Sequence, residues 1–299
     1  MIYNSLHGYT GEGSCVVLGM FDGVHAGHRS LIRAAAENGG GVSAFTFSNH
    51  PSAITGKEQV KLLMTPEEKA KALQSAGVRD IIMVEFTQQL ASLSPRRFVD
   101  LLAQHIRPRC AVAGFNYRFG SHAGGSAETL RLLLSDKGID TIIAESVMYE
   151  GQAVSSSRIR AALLEGDTEL AAAMLGSDYM ISGRVIHGKA IGRKLGAPTA
   201  NIDVDKSKLL PMDGVYACIA HVDGESHKAV CNIGPKPTVD VHESGVEAHI
   251  LGYRKRIYGG VVTLSIKRRL RGIVDFGSKE ALREQIIKDC AEAAKLDSI

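Results

Sequence analysis

No apolar run in this chain approaches the roughly 20 residues that span a bilayer. Met1–Thr10 also lacks the basic segment and following apolar core of an export signal. A soluble, non-exported protein with no membrane partner is therefore expected. Cysteine is sparse and never arranged as CxxC: Cys15, Cys110, Cys218, Cys231 and Cys290 stand singly. Scattered cysteines inside apolar patterns predict buried thiols in a reducing cytoplasm, and argue against a zinc site or a disulfide frame. A strong charge of one sign is also missing. The net charge of +3 over 299 residues gives no argument for nucleic acid as a partner. It is unevenly spread, with 16 Lys+Arg against 18 Asp+Glu in residues 1–178 and 19 against 14 in residues 179–299. There is no internal repeat and no low-complexity segment.

What the sequence does contain changes rhythm near Gly176–Tyr179. Before that point short apolar runs alternate with helical patterns. Strands are predicted at Cys15–Gly19, Val42–Phe47, Ile81–Phe86, Cys110–Gly114 and Thr141–Val147. Helix starts are marked by the capping box Thr65-Pro66-Glu67-Glu68 and by Ser94-Pro95. Alternating βα units predict an α/β domain, a Rossmann-like parallel sheet with helices on both faces. After Tyr179 the runs Tyr179–Ile186, Val215–Val222, Ala229–Ile233, Val246–Leu251 and Val261–Ile266 follow one another with turns and little helix. That pattern predicts an antiparallel β-barrel or sandwich, closed by a helix from the Ser278 cap to about Ala294. Two domains are expected, 1–178 and 179–299.

The most informative stretch is Phe21-Asp22-Gly23-Val24-His25-Ala26-Gly27-His28, after the strand that ends at Gly19. A helix start exposes backbone N–H groups and the positive end of the dipole, which makes it an anion site. Gly23 and Gly27 let a polyphosphate approach the backbone, and His25 and His28 fall within one turn to donate hydrogen bonds to it. A bare HxxH would read as an ordinary loop feature; the surrounding glycines and the preceding strand favour phosphate binding. Val154-Ser155-Ser156-Ser157-Arg158-Ile159-Arg160 supplies a second phosphate-type helix start, with Ser156, Ser157 and the bidentate fork of Arg160. In the second half Gly188, Gly192, Arg193 and Gly196 form a glycine-rich turn of phosphate-loop type. It leads through Pro198 to Thr199 and Asn201, two apart on a strand and so on one side, with oxygens suited to Mg²⁺.

These motifs together resemble a known family. GxFDGxHxGH with a later SSSxIR resembles the nucleotidyltransferase superfamily, in particular the adenylyltransferase half of the bifunctional riboflavin kinase/FMN adenylyltransferase (FAD synthetase) family. Phe47-Ser48-Asn49-His50-Pro51 and Gly114-Phe115-Asn116-Tyr117-Arg118-Phe119-Gly120 are similar to further motifs of that half. Gly192-Arg193-Lys194-Leu195-Gly196-Ala197-Pro198-Thr199-Ala200-Asn201, Asn232–Thr238 and Val246-Glu247-Ala248-His249 resemble riboflavin kinase.

The resemblance implies phosphorylation of riboflavin by ATP·Mg²⁺ to FMN, then adenylylation of FMN to FAD with release of pyrophosphate. It implies His25, His28 and Arg160 as catalytic groups of adenylyl transfer, with Gly19, Phe21, Asp22, Gly23, Gly27, Ser156 and Ser157 around the ATP phosphates. Asn116, Arg118 and Asn49 would be flavin-side residues. In the kinase it implies Gly188, Gly192, Arg193, Gly196 and Pro198 at the nucleotide, Thr199 and Asn201 at the metal, Glu247 as base and Arg271 on the flavin side. The chain departs from the family at Ser121–Ser126, which holds no Lys or Arg, so either a weaker grip on the FMN phosphate or a grip supplied by Arg118 is expected; Gly252 is a second departure. One alternative keeps a single activity, with the other domain a flavin-binding or regulatory module. Another, a class I aminoacyl-tRNA-synthetase-like protein, lacks its KMSKS-like loop here. The sequence leaves the oligomeric state open.

Overall fold

The computed structural model describes residues 1–11, 13–56, 60–187, 197–235 and 244–296. The chain divides into two compact units, Met1–Ser156 and Ser157–Ile299.

The first unit is built on six parallel strands: β1 (Ile2–Tyr3), β2 (Cys15–Leu18), β3 (Val42–Phe47), β4 (Asp80–Val84), β5 (Cys110–Gly114) and β6 (Asp140–Ala144). Their order across the sheet is β1-β4-β3-β2-β5-β6. Four longer helices connect them: α1 (Ala26–Glu37), α2 (Pro66–Ser75), α3 (Pro95–His105) and α4 (Ala127–Ser135). The capping box expected at Thr65 is formed, with Thr65 Oγ1 accepting from the Glu68 N–H and the Glu68 carboxylate from the Thr65 N–H. Successive strand residues point to opposite faces. Cys15 and Val17 accordingly join Leu31, Ile32, Ala70 and Leu73 of α1 and α2 in one core. Val16 and Leu18 join Phe98, Leu102, Leu130 and Leu134 of α3 and α4 in the other. Both faces are covered, as the alternation of elements predicts. The chain runs outward from β2 through β3 to β4, then returns to β5 on the other side of β2. The order therefore reverses between β2 and β5, where open parallel sheets leave a crevice for ligands.

One expectation is corrected. Cys15 and Cys110 are register partners on β2 and β5, with Cα atoms 4.6 Å apart, and they are joined in a disulfide. Ninety-five residues separate them in sequence, so only the sheet topology makes them neighbours. Cys218, Cys231 and Cys290 are free thiols, the first two buried.

The second unit begins with two helices, α5 (Ser156–Glu165, whose first residue closes the first unit) and α6 (Thr168–Leu175). The Thr168 hydroxyl of α6 donates to the Lys267 carbonyl of the barrel wall. The barrel consists of β7 (Tyr179–Ile186), β8 (Ala200–Val204), β9 (Gly214–Val222), β10 (Glu225–Pro235), β11 (Ser244–Ile250) and β12 (Val261–Arg271). It is closed in the order β7-β8-β11-β10-β9-β12, with every pairing antiparallel. Closure leaves no sheet edge unpaired. Asp223-Gly224 makes the β9–β10 hairpin, both residues at positive φ (51° and 80°), as a two-residue type I′ turn requires. Helix α7 (Lys279–Ala294), capped by Ser278, completes the unit. Among the described residues no helix is long and apolar enough to cross a membrane.

Gly183 marks the tightest strand crossing. A Cβ there would strike the Asp203 carbonyl and lie 2.7 Å from an Ile202 methyl. Gly183→Ala should therefore cost about 1–3 kcal/mol, the usual effect of overpacking. It should register as a lower thermal midpoint by circular dichroism; an unchanged midpoint would mean that the barrel relaxes there freely.

Candidate functional site

The turn from Gly19 to His25 leaves β2 and enters α1. Phe21 and Val24 hold left-handed backbone, with φ of 50° and 38°, beside Gly23 at 93°. Left-handed backbone at bulky residues costs on the order of 1–3 kcal/mol each and persists only where the surroundings enforce it. Here both side chains are wholly buried in the α1–α2 core. Gly19 leaves room for this: a Cβ would come within 3.1 Å of the Phe21 ring. Asp22, also buried, fastens the turn from the other side. Its carboxylate accepts the N–H groups of Leu63 (2.9 and 3.1 Å) and Met64 (3.1 Å). Its carbonyl accepts the Ser156 hydroxyl at 2.7 Å. Asp22 thus fixes the turn, and Ser156 ties the SSS segment to it.

His25 is the N-cap of α1, and its Nδ1 accepts the His28 N–H at 3.3 Å. An accepting Nδ1 places the proton of the neutral ring on Nε2, which is then a donor. The two imidazoles stack at 3.6 Å. A Cβ at Gly27 would press within 3.2 Å of the His25 ring, so glycine keeps the stack open. His28 Nδ1 is enclosed and has no hydrogen-bond partner among the described residues. Burial first, then the neighbouring His25 and Lys69, hold the His28 imidazole well below the ordinary histidine range. His28 is thereby held as a neutral ring, and the accepting Nδ1 of His25 leaves its Nε2 as a donor.

The loops after β3 and β5 flank this turn, because β3 and β5 flank β2. Both polar atoms of the Asn49 amide close on Phe86, donating to its carbonyl at 3.0 Å and accepting its N–H at 2.7 Å. His50 Nδ1 meets the hydroxyl and N–H of Ser52. These two residues thus hold their own loop in shape. Asn116, on the turn after β5 beside the half-exposed Phe115, and Arg118, which pairs with Ser126 in a short two-stranded ribbon, are both exposed. Ser157 and Arg160 lie three residues apart on α5, hence on one helix face, in the second unit.

In the barrel, Thr199, Asn201 and Glu247 come together from distant segments. The Thr199 hydroxyl donates to Glu247 Oε2 at 3.3 Å. Asn201 and Asn232 are the register partners of Glu247 on its two neighbouring strands, so the three side chains share one face. Pro198, Thr199 and Asn201 line a cavity of about 310 Å³, together with Arg254, Lys255 and Arg256. His187 stacks on Tyr258, another wall residue, at 4.1 Å. Gly188, Gly192, Arg193 and Gly196 lie outside the described residues. Arg271 forks onto Asp289 of α7 (2.8 to 3.2 Å) and lies 5.2 Å above the Phe276 ring.

Residues 9–158 match the family model described as FAD synthetase, and residues 175–296 match riboflavin kinase. The bifunctional riboflavin kinase/FMN adenylyltransferase of Bacillus subtilis (strain 168) is 37% identical over 291 residues, covering 94% of this chain and 92% of that protein. The chain belongs to the bifunctional riboflavin kinase/FMN adenylyltransferase family. The Escherichia coli (strain K12) protein of the same description is 32% identical over 285 residues, covering 93% and 91%. The solved structure of a protein named macrolide-efflux protein, from Streptococcus pneumoniae, is 28% identical and superposes with a TM-score of 0.90 over 99% of each chain. Both domain families are thus present in one polypeptide.

Sequence reasoning passed over the buried Lys69 and the Leu63 and Met64 N–H groups that hold Asp22. Lys69 sits one turn before Leu73 on the buried face of α2, a lysine in an apolar stripe.

The state of His28 is directly measurable. An NMR titration should give it no midpoint at or above 6.5, the ordinary histidine value. The unfolded chain takes up this proton near pH 6.5 whereas the folded chain does not. His28 must therefore make folding stability decline as pH falls through that value. A normal His28 midpoint would refute the assignment of a neutral ring.

Proposed function

We propose that residues 1–178 adenylylate FMN and that residues 179–299 phosphorylate riboflavin, each using ATP. Together they convert riboflavin and ATP to FMN and ADP, then FMN and ATP to FAD and pyrophosphate. The observation that carries this reading is the meeting of Thr199, Asn201 and Glu247 beside one cavity, in a chain that also holds the stacked His25–His28 pair.

The two reactions make different demands, and the residues answer them differently. Riboflavin attacks the γ-phosphorus through an alcohol, which must lose a proton. Glu247 is the carboxylate that takes it, acting as general base. The hydroxyl of Thr199 and the amide oxygen of Asn201 are hard donors that suit Mg²⁺, whose bound ion would offset phosphate charge. FMN attacks the α-phosphorus through a phosphate oxygen that is already anionic at neutral pH, so no base is needed. The bond to the bridging oxygen breaks and pyrophosphate leaves. His25 and His28 donate hydrogen bonds to the phosphates where charge builds. Ser157 and Arg160 are assigned to the departing pyrophosphate, and Asn116 and Arg118 to FMN. Asn49 acts through the loop it closes with Phe86. Arg271, fixed by Asp289, orients the flavin side of the barrel. The cytoplasm, with its ATP, is the proposed compartment.

The test follows flavin chromatography over time with riboflavin and ATP·Mg²⁺. His28→Ala should accumulate FMN while FAD formation falls about a hundredfold, the usual cost of losing one transition-state donor. Glu247→Gln should leave riboflavin unphosphorylated, with FMN formation down by roughly 10²–10⁴, yet convert supplied FMN to FAD at the parental rate. A Glu247→Gln enzyme that phosphorylates riboflavin normally would overturn the base assignment. Unchanged FAD formation in His28→Ala would overturn the role of the histidine turn.

A further inference from the structure

Lys69 is wholly buried on the inner face of α2, at 0% exposure. An ammonium removed from water is costly unless its donors are satisfied. Among the described residues no carboxylate approaches Lys69 within ion-pair distance. Instead its Nζ donates to two backbone carbonyls, those of Met20 at 3.1 Å and Phe47 at 2.6 Å. Met20 lies just beyond the end of β2, and Phe47 is the last residue of β3. The Met20 carbonyl also accepts the Thr46 hydroxyl at 3.0 Å. One cation thus gathers the carboxyl ends of two neighbouring strands, directly beneath the turn that carries His25 and His28.

We propose that Lys69 is a positioning residue of the adenylyl-transfer site: its buried ammonium fixes the Gly19–His25 turn and adds positive charge beneath the phosphate-binding N-terminus of α1. The inference rests on the assignment of FMN adenylylation to this unit. The charged and titratable groups that face Lys69 are few. Asp22 on the turn attracts it, and His28 on α1 feels its charge, with His25 stacked against His28. Glu68, next in the chain, accepts the Thr65 N–H. The two carbonyls of Met20 and Phe47 favour the protonated amine, because an ammonium supplies both donors in any rotamer. Burial acts the other way and brings the Lys69 amine down to about 8, with Asp22 partly opposing. Lys69 is therefore charged at neutral pH and loses its proton under mildly alkaline conditions. The strand-end clamp then loses its charge, and FAD formation should decline with it.

The experiment measures FMN-to-FAD conversion by the full chain from about pH 7 to about pH 9.5, a range below the ordinary lysine value. Riboflavin phosphorylation by the same protein serves as an internal control for folding. The wild type should show an alkaline limb in FAD formation with a midpoint near 8. Lys69→Met keeps an unbranched side chain without charge. It should lower kcat for FAD formation about tenfold to a hundredfold, the scale of a small displacement of catalytic groups. KM for FMN should move far less, the alkaline limb should vanish, and riboflavin kinase activity should be retained. The wild-type profile stands by itself should the variant fold poorly: FAD formation flat across the range would overturn the proposal. So would a folded Lys69→Met enzyme with the parental rate and limb. A wild type that makes no FAD from FMN and ATP at any pH would instead overturn the functional assignment of the unit.

Discussion

The first unit depends on a backbone conformation that its own residues would avoid in isolation. Phe21 and Val24 are forced into left-handed geometry between the end of β2 and the start of α1. What compels them is burial of their side chains in the α1–α2 core, together with the hold of Leu63 and Met64 on the Asp22 carboxylate. The reward is geometric. The turn brings His25 into the N-cap position, with its ring stacked on His28 and its Nδ1 satisfied. A relaxed turn would splay the rings and leave the first N–H groups of α1 to water. Preorganisation of this sort lets donors act on developing charge without reorganising during the reaction.

The barrel solves a different problem with different means. Its groups are placed by strand register rather than by strain. Thr199 leads into β8 and Asn201 lies on it, Glu247 lies opposite on β11, and Asn232 lies beyond on β10. Glu247 is partly exposed, whereas His25 and His28 are stacked on each other and His28 packs against Phe21. The two proposed reactions differ in nucleophile, an alcohol in one and a phosphate oxygen in the other, and the contrast fits that difference.

Much of this was legible in the sequence. The apolar runs of β2, β3 and β5 fall where expected, because strands buried on both faces read as continuous hydrophobic segments. The capping box at Thr65 and the Asp223-Gly224 hairpin carry their geometry in their residue types. The histidine turn and the Thr199–Asn201 pair were visible as motifs. What escaped was long-range. The Cys15–Cys110 bond and the hold of Leu63 on Asp22 exist only because the sheet order places distant segments side by side. Lys69 escaped because a lysine at a helix position predicts exposure, and only the structure reveals the two carbonyls that receive it. The two hydrogen bonds that join the Asn49 amide to Phe86 are likewise long-range and leave no mark in the local sequence.

Register also bears on how such a chain can vary over time. On β11, Glu247 alternates with Val246 and Ala248, both buried. Side chains on a strand have a period of two, so the gain or loss of one residue exchanges the faces along everything downstream in that strand. A single insertion before Glu247 within β11 would bury its carboxylate among apolar side chains and turn an alanine or valine to the face that Glu247 shares with Asn201 and Asn232. The closed barrel offers no free edge at which a strand could slide to absorb the change. Residue identity can drift widely along these strands while their length cannot, and differences in length between relatives should collect in the connecting loops.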